Sequence, residues 1–316
     1  MNRKLFIISF ILLYYGVIFL SSGDAFGAVG DETRITVPLR SELPHAESVA
    51  LTIEKAKSGD LAAQNNLGDM FLTGSGFPVD CAQAFHWFQV AAEKNFPAAQ
   101  FNLGNMYLNG RGVAQNLKIA KKWYQKAAAQ DFPAALNQLG VIAENDQEAI
   151  AWYQRAAVLG FAPAQNNLGV AYARGKGVAA DQQTAAEWYA KAAAQGSAAA
   201  QNNLGLMYVM GRGVAKNDSQ AFQCFKNSAE QGFALAQSNL AMMFKDGRGV
   251  KQDLVSAYVW LSLAMKNNVN VAGELVKNVE SKLSAEEKEV AGQRMSGWLT
   301  SHYPTVSEQQ VTHSGS

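Results

Sequence analysis

The sequence predicts an all-α solenoid, a stack of antiparallel helix pairs. Three observations carry the prediction: a phrase repeated at fixed intervals, apolar residues at helical spacing on both sides of it, and glycines between the two helical stretches. The phrase reads Ala63-Gln-Asn-Asn-Leu67-Gly68 and returns from Ala99, Ala164 and Ala200, with weaker copies from Ala135 and Ala236. Four of the five steps are 36 residues (99−63, 135−99, 200−164, 236−200), and the remaining one, 164−135, is 29. A period in the thirties marks small supersecondary units, none of which buries its apolar face alone.

One unit shows how each element arises. Ala99, Leu103, Met106 and Tyr107 recur at i, i+4, i+7 and i+8, the spacing of a helix with one apolar stripe. Gly110-Arg-Gly112-Val113 interrupts it, as glycine does past a helix end. Asn116 offers an N-cap, and Ile119, Ala120, Trp123, Tyr124, Ala127 and Ala128 resume the helical spacing. Each unit is therefore a helix A followed by a helix B.

Counting helix A from Leu61 in the first unit, position 8 is glycine in five units (Gly68, Gly104, Gly140, Gly169, Gly205) and Ala241 in the sixth. Glycine costs about 1 kcal/mol of helix propensity relative to alanine. Its recurrence points to a backbone contact with no room for a side chain. Aromatics at position 11 and the helix-B pairs Trp87-Phe88, Trp123-Tyr124, Trp152-Tyr153 and Trp188-Tyr189 are expected to fill the space between layers. In the third unit the Gly-x-Gly-Val loop is missing and Asp146 is expected to cap helix B directly. A tighter turn is one consequence of that deletion, and a functional notch is the other.

The ends differ from the repeats. Met1-Asn-Arg3-Lys4, the apolar run Leu5–Leu20 and small residues to Ala28 follow the order of a secretory signal, with cleavage after Gly27 or after Ala25. An uncleaved membrane anchor is the alternative. The organisation expected is a signal peptide over 1–27, a flexible leader over 28–44, an N-terminal capping helix over 45–62, six repeats over 63–266, C-terminal capping helices over 267–300 and a flexible tail over 301–316. Ser284-Ala-Glu-Glu287 is a capping box opening the last helix.

Composition narrows the function. The chain of 316 residues carries a net charge of +1 and only 17% charged residues, with no Lys/Arg-rich run. A nucleic-acid partner is therefore not expected. Cys81 and Cys224 lie four layers apart, too far for a bridge, and are expected as free thiols. His45, His86, His302 and His313 form no ligand-like spacing with one another or with Cys, Asp or Glu, so no metal site and no cofactor are expected. No nucleophile elbow or Ser-x-x-Lys signature is present, and no catalytic residue is assigned.

The recurring pattern Ala-x-x-x-Leu-Gly, Gly-Arg-Gly-Val and Ala-x-x-Trp-Tyr-x-Lys-Ala-Ala resembles the Sel1-like repeat, a relative of the tetratricopeptide repeat, over roughly 46–298. The resemblance implies a right-handed α/α superhelix that acts as a non-enzymatic scaffold for proteins or peptides. An exported location, in the periplasm or secreted, and a monomeric state are expected, with membrane association only if the signal stays uncleaved. A cysteine-rich subgroup implies the rival reading, an envelope hydrolase or β-lactam-binding protein, but it has a cysteine pair in every repeat and this chain has 2 cysteines in all.

By the same resemblance, helix A lines a concave face through positions 2, 5, 9 and 12. Position 5 reads Asn65, Phe101, Asn137, Asn166, Asn202 and Ser238, and position 9 reads Asp69, Asn105, Val141, Val170, Leu206 and Met242. The expected groove is polar at its N-terminal end and apolar toward its C-terminal end. Mutual burial of Val170, Leu206 and Met242 is the structural alternative. Arg111, Lys176, Arg212 and Arg248 recur once per unit and are expected as a row along one edge, either capping helix-A carbonyls or meeting an anionic partner.

Overall fold

A computed structural model describes residues 45–267 and 272–302. The expected signal peptide and leader, and the tail beyond residue 302, lie outside the described residues. Among these, the chain forms fifteen α-helices and no strand. It divides between Ala180 and Asp181 into two units.

The N-terminal unit holds α1 (His45–Lys57), α2 (Leu61–Thr73), α3 (Cys81–Glu93), α4 (Pro97–Asn109), α5 (Leu117–Ala128), α6 (Pro133–Val141), α7 (Asp146–Val158) and α8 (Ala162–Arg174). The C-terminal unit holds α9 (Gln182–Ala194), α10 (Ala198–Met210), α11 (Asp218–Glu230), α12 (Ala234–Asp246), α13 (Leu254–Lys266), α14 (Ala272–Glu280) and α15 (Ala285–His302). Within each unit successive helices pack against one another as far as α14, and α15 packs back on α13, so the cores are local and run along the chain.

The boundaries follow from the residues that end the backbone ladders. Asn116 Oδ1 accepts the backbone N–H of Ile119 at 3.1 Å to start α5. Gly110 ends α4 in the left-handed region at φ +67°, its N–H bonded to the carbonyl of Met106, a conformation that costs glycine nothing. Ser284 and Glu287 form the capping box, with Glu287 N–H donating to Ser284 Oγ at 3.1 Å and Ser284 N–H to Glu287 Oε2 at 2.8 Å. The third repeat departs from expectation. Its cap is Asn145, whose Oδ1 accepts the N–H of Glu148 at 2.9 Å, and Asp146 is instead the first helical residue. Removal of the loop brings Asn145 to the place where an extended backbone can turn its side chain back onto the first turn. The last helix is also longer than expected and includes Ser301 and His302, whose ring stacks on Trp298 at 4.0 Å.

Position 8 of helix A meets a ring first, although at Gly68 an added Cβ would also lie 3.2 Å from the backbone carbonyl of Ala84. A Cβ on Gly104 would lie 2.5 Å from Tyr124 Cε1, one on Gly68 2.8 Å from Phe88, one on Gly140 2.5 Å from Tyr153 and one on Gly205 2.7 Å from Phe225. In each case an edge of the second ring position of helix B lies against the bare face of its own helix A. These rings are buried, and burial pushes the phenol of Tyr124 upward and that of Tyr153 up to about 12. The Trp of each pair is only half-buried. In the last repeat Ala241 faces Leu261, both fully buried in one cluster with Ala257, Ala264, Val276 and Val279.

Candidate functional site

The repeated amides build the packing between repeats. Position 4 glutamines reach back to the preceding helix B: Gln100 Nε2 donates to the carbonyl of Ala92 at 3.2 Å, Gln165 to Ala157 at 3.1 Å, and Gln237 to Ala229 at 3.4 Å. Gln130 and Gln231, just past their helices B, donate to Gln100 Oε1 at 2.9 Å and Gln201 Oε1 at 2.8 Å. Position 6 asparagines bridge to position 5 of the repeat before: Asn102 Nδ2 to Asn65 Oδ1 at 2.9 Å, Asn167 to Asn137 at 3.0 Å and Asn239 to Asn202 at 2.9 Å. Helix A contacts are thus cemented by amides whose polar atoms would be costly to bury alone.

This corrects the position 5 reading. Asn65, Phe101 and Asn202 are buried, as is Ser238, and none of them offers a surface to a partner. Asn65 and Asn202 are held by the asparagine bridges, while Phe101 packs beside Tyr124 and Phe132 with ring centroids 5.8 Å away in each case. Asn137 and Asn166 are half-buried. The chain is consistent with the bridge: where position 5 is Phe101, position 6 of the next repeat is Gln138 instead of asparagine.

Position 9 behaves differently. Asp69, Asn105, Val170 and Leu206 are half-buried, and Val141 is 39% exposed. Asn105 Oδ1 accepts the Tyr124 hydroxyl at 2.7 Å. Met242 is the correction in this row. It is buried in the C-terminal unit, where it lines a small cavity with Val209, Phe225, Asn239 and Met243.

The loop cations are part of the fold where they are engaged. Arg111 Nη2 donates to the carbonyl of Leu72, in the last turn of α2, at 3.4 Å, and Arg248 Nη2 pairs with Asp218 Oδ1 at 2.8 Å. Lys176 and Arg212 are exposed. Both cysteines are half-buried free thiols, and burial pushes the Cys224 thiol up to about 11, which removes thiolate chemistry near neutral pH. Among the described residues no three side chains of the ligand types converge on a metal site, and no helix is long and apolar enough to cross a membrane.

The fold and these repeats have counterparts among known proteins. The Sel1 repeat family model matches residues 61–96, 97–132, 134–161, 162–197, 198–233 and 234–269. A crystal structure of a protective antigen present in uropathogenic Escherichia coli strains, with an SLR fold, is 34% identical with a TM-score of 0.73 over 82% of this chain and 57% of that chain. The chain therefore spans 57% of the length of that antigen. A Sel1 repeat protein from Oxalobacter formigenes is 35% identical with a TM-score of 0.67 over 71% of this chain and 94% of that one. No curated protein matches the chain significantly. Six matched repeats and the helix-pair architecture make this chain a member of the Sel1 repeat family, whose repeats serve generally as protein-interaction scaffolds.

Proposed function

We propose that this chain is an exported, non-enzymatic adaptor that holds a peptide or protein segment on the helix-A face of its repeats. One observation carries the reading: position 9 is half-buried or exposed, never buried, in every repeat but the last, while position 5 is consumed in several by the contacts between repeats. In the N-terminal unit Asp69, Asn105, Val141 and Val170 offer amide and carboxylate groups beside aliphatic ones, the mixture that suits an extended peptide, and Leu206 takes the same helix position in the C-terminal unit. Export is supported by the basic, apolar and small-residue order of residues 1–28.

A photoreactive benzophenone residue placed at Val141 or at Leu206 in intact cells tests the face. A discrete covalent adduct is expected from both positions and not from Val158, a control at 79% exposure on helix B. Equal labelling from all three positions, or none, would refute the face. The N-terminus of the purified protein tests export separately: it should begin at Ala28 or Phe26, and a retained Met1 would remove the cleaved signal.

A further inference from the structure

The shortened third repeat leaves a site open that other repeats fill. In the second repeat the loop glycine Gly112 lies against the carbonyl of Cys81, the first residue of the preceding helix B, closely enough that a Cβ would collide with it. Gly213 does the same at Gln182 and Gly249 at Asp218, and Gly177 at Asp146. The valine that follows packs inward: Val113, with Cys81 and Phe85, lies against the cluster of Ala84, Phe88 and Ala91, and Val250 lies against that of Ala221, Phe222 and Phe225. A Gly-x-Gly-Val turn thus caps the start of the preceding helix B with both backbone and side chain.

The corresponding start of α5 has no such cover, because α6 runs through Ile142–Asn145 directly into α7. Leu117 stands where Cys81 stands in the first repeat and is 53% exposed. Lys121 stands where Phe85 stands and is held by Glu144 Oε1 at 3.4 Å and Glu148 Oε1 at 3.5 Å. Slight burial would push the Lys121 ammonium down, but the hydrogen bond to Glu144 and the charge of Glu148 hold it above its ordinary value. The side chain of Glu144 is 82% exposed, so one carboxylate of this cluster faces water.

We propose that the start of α5 is a docking site for a glycine turn of another protein, of the form Gly-x-Gly followed by valine or isoleucine, which takes the place of the missing loop. Leu117 receives the aliphatic side chain, and the outward carboxylate of Glu144 receives a cation between the two glycines. This mirrors Arg248, which pairs with Asp218 in the last repeat. The site is on helix B and does not depend on the helix-A face proposed above.

A disulfide-cyclised peptide carrying the chain's own loop, Leu-Asn-Gly-Arg-Gly-Val-Ala, is the probe, titrated by fluorescence anisotropy against the full chain. Saturable binding is expected. Leu117→Asp should weaken it about tenfold or more, the scale of one buried aliphatic contact, without lowering Tm, since the residue is exposed. A second variant copies residues 108–114 between Ala143 and Glu144, which restores the repeat to 36 residues (29 + 7) and fills the site from within. It should abolish binding and leave the benzophenone adducts unchanged. A peptide with alanine for the second glycine should fail to bind. No binding to the native chain, or binding that survives the insertion, would overturn the proposal. So would self-association of the native chain that the insertion abolishes, because the occupant would then be a second copy.

Discussion

The second and the last repeats have the same length and the same order of elements, yet they solve helix packing with different residues. In the second, Gly104 in α4 accepts the ring of Tyr124 from α5; in the last, Ala241 in α12 faces Leu261 from α13. The extra methyl on helix A is matched by a smaller side chain on helix B. Both members of each pair are essentially inaccessible to solvent. What is kept from repeat to repeat is therefore the summed volume across the A–B contact, and not the glycine itself. The two repeats also start helix B differently, with a neutral Asn116 in one and an ionised Asp253 in the other.

The most damaging way to break this comparison is to give the second repeat the alanine without the leucine. Gly104→Ala places a methyl 2.5 Å from the Tyr124 ring and should cost about 2 kcal/mol in urea denaturation. Adding Tyr124→Leu should recover part of that loss, with a favourable coupling of about 1 kcal/mol in the double-mutant cycle. Strict additivity would show that volume is not shared across the pair. The reverse exchange, Ala241→Gly with Leu261 kept, should cost about 1 kcal/mol, because the helix loses its methyl and nothing enlarges to fill the gap.

The smallest effect is in pH dependence. Burial alone would raise the Asp253 carboxyl, but the N–H and hydroxyl of Ser256 hold it below its ordinary 3.8. Its contribution is thus present in full above pH 3.8 and is lost as pH falls through the lower folded value. Asp253→Asn, which imitates Asn116, should lower Tm slightly at neutral pH, where the ionised cap contributes, and flatten the acid limb of the Tm-versus-pH curve below pH 4. An unchanged acid limb would exclude the cap as its source.

Much of the architecture was legible because the signals are local. The cap at Asn116, the left-handed Gly110 and the Ser284–Glu287 box each act within a few residues, so their chemistry can be read without knowing what packs nearby. The 36-residue period likewise needs only the chain. The candidate face was harder. Helical spacing says that Asn65 and Asp69 share a side of α2, but an amide is equally at home in water and in a bridge to Asn102. Burial of Asn65 and Asn202 beside a half-buried position 9 depends on how closely successive helices A approach. Leu117 was missed because exposure at that residue comes from a deletion a repeat later, around Ala143.

The sequence by itself determined that this chain is all-helical, repeats six times, loses seven residues in the third repeat and belongs with the Sel1 repeats. These are consequences of backbone propensity, capping and periodicity, which short segments carry on their own. Only the tertiary structure decided that the bare face at Gly104 meets a ring, that the asparagines are spent between repeats, and that the start of α5 lies uncovered. Each of those depends on which atoms approach across a distance the chain does not measure in residues, and packing between elements alone sets it.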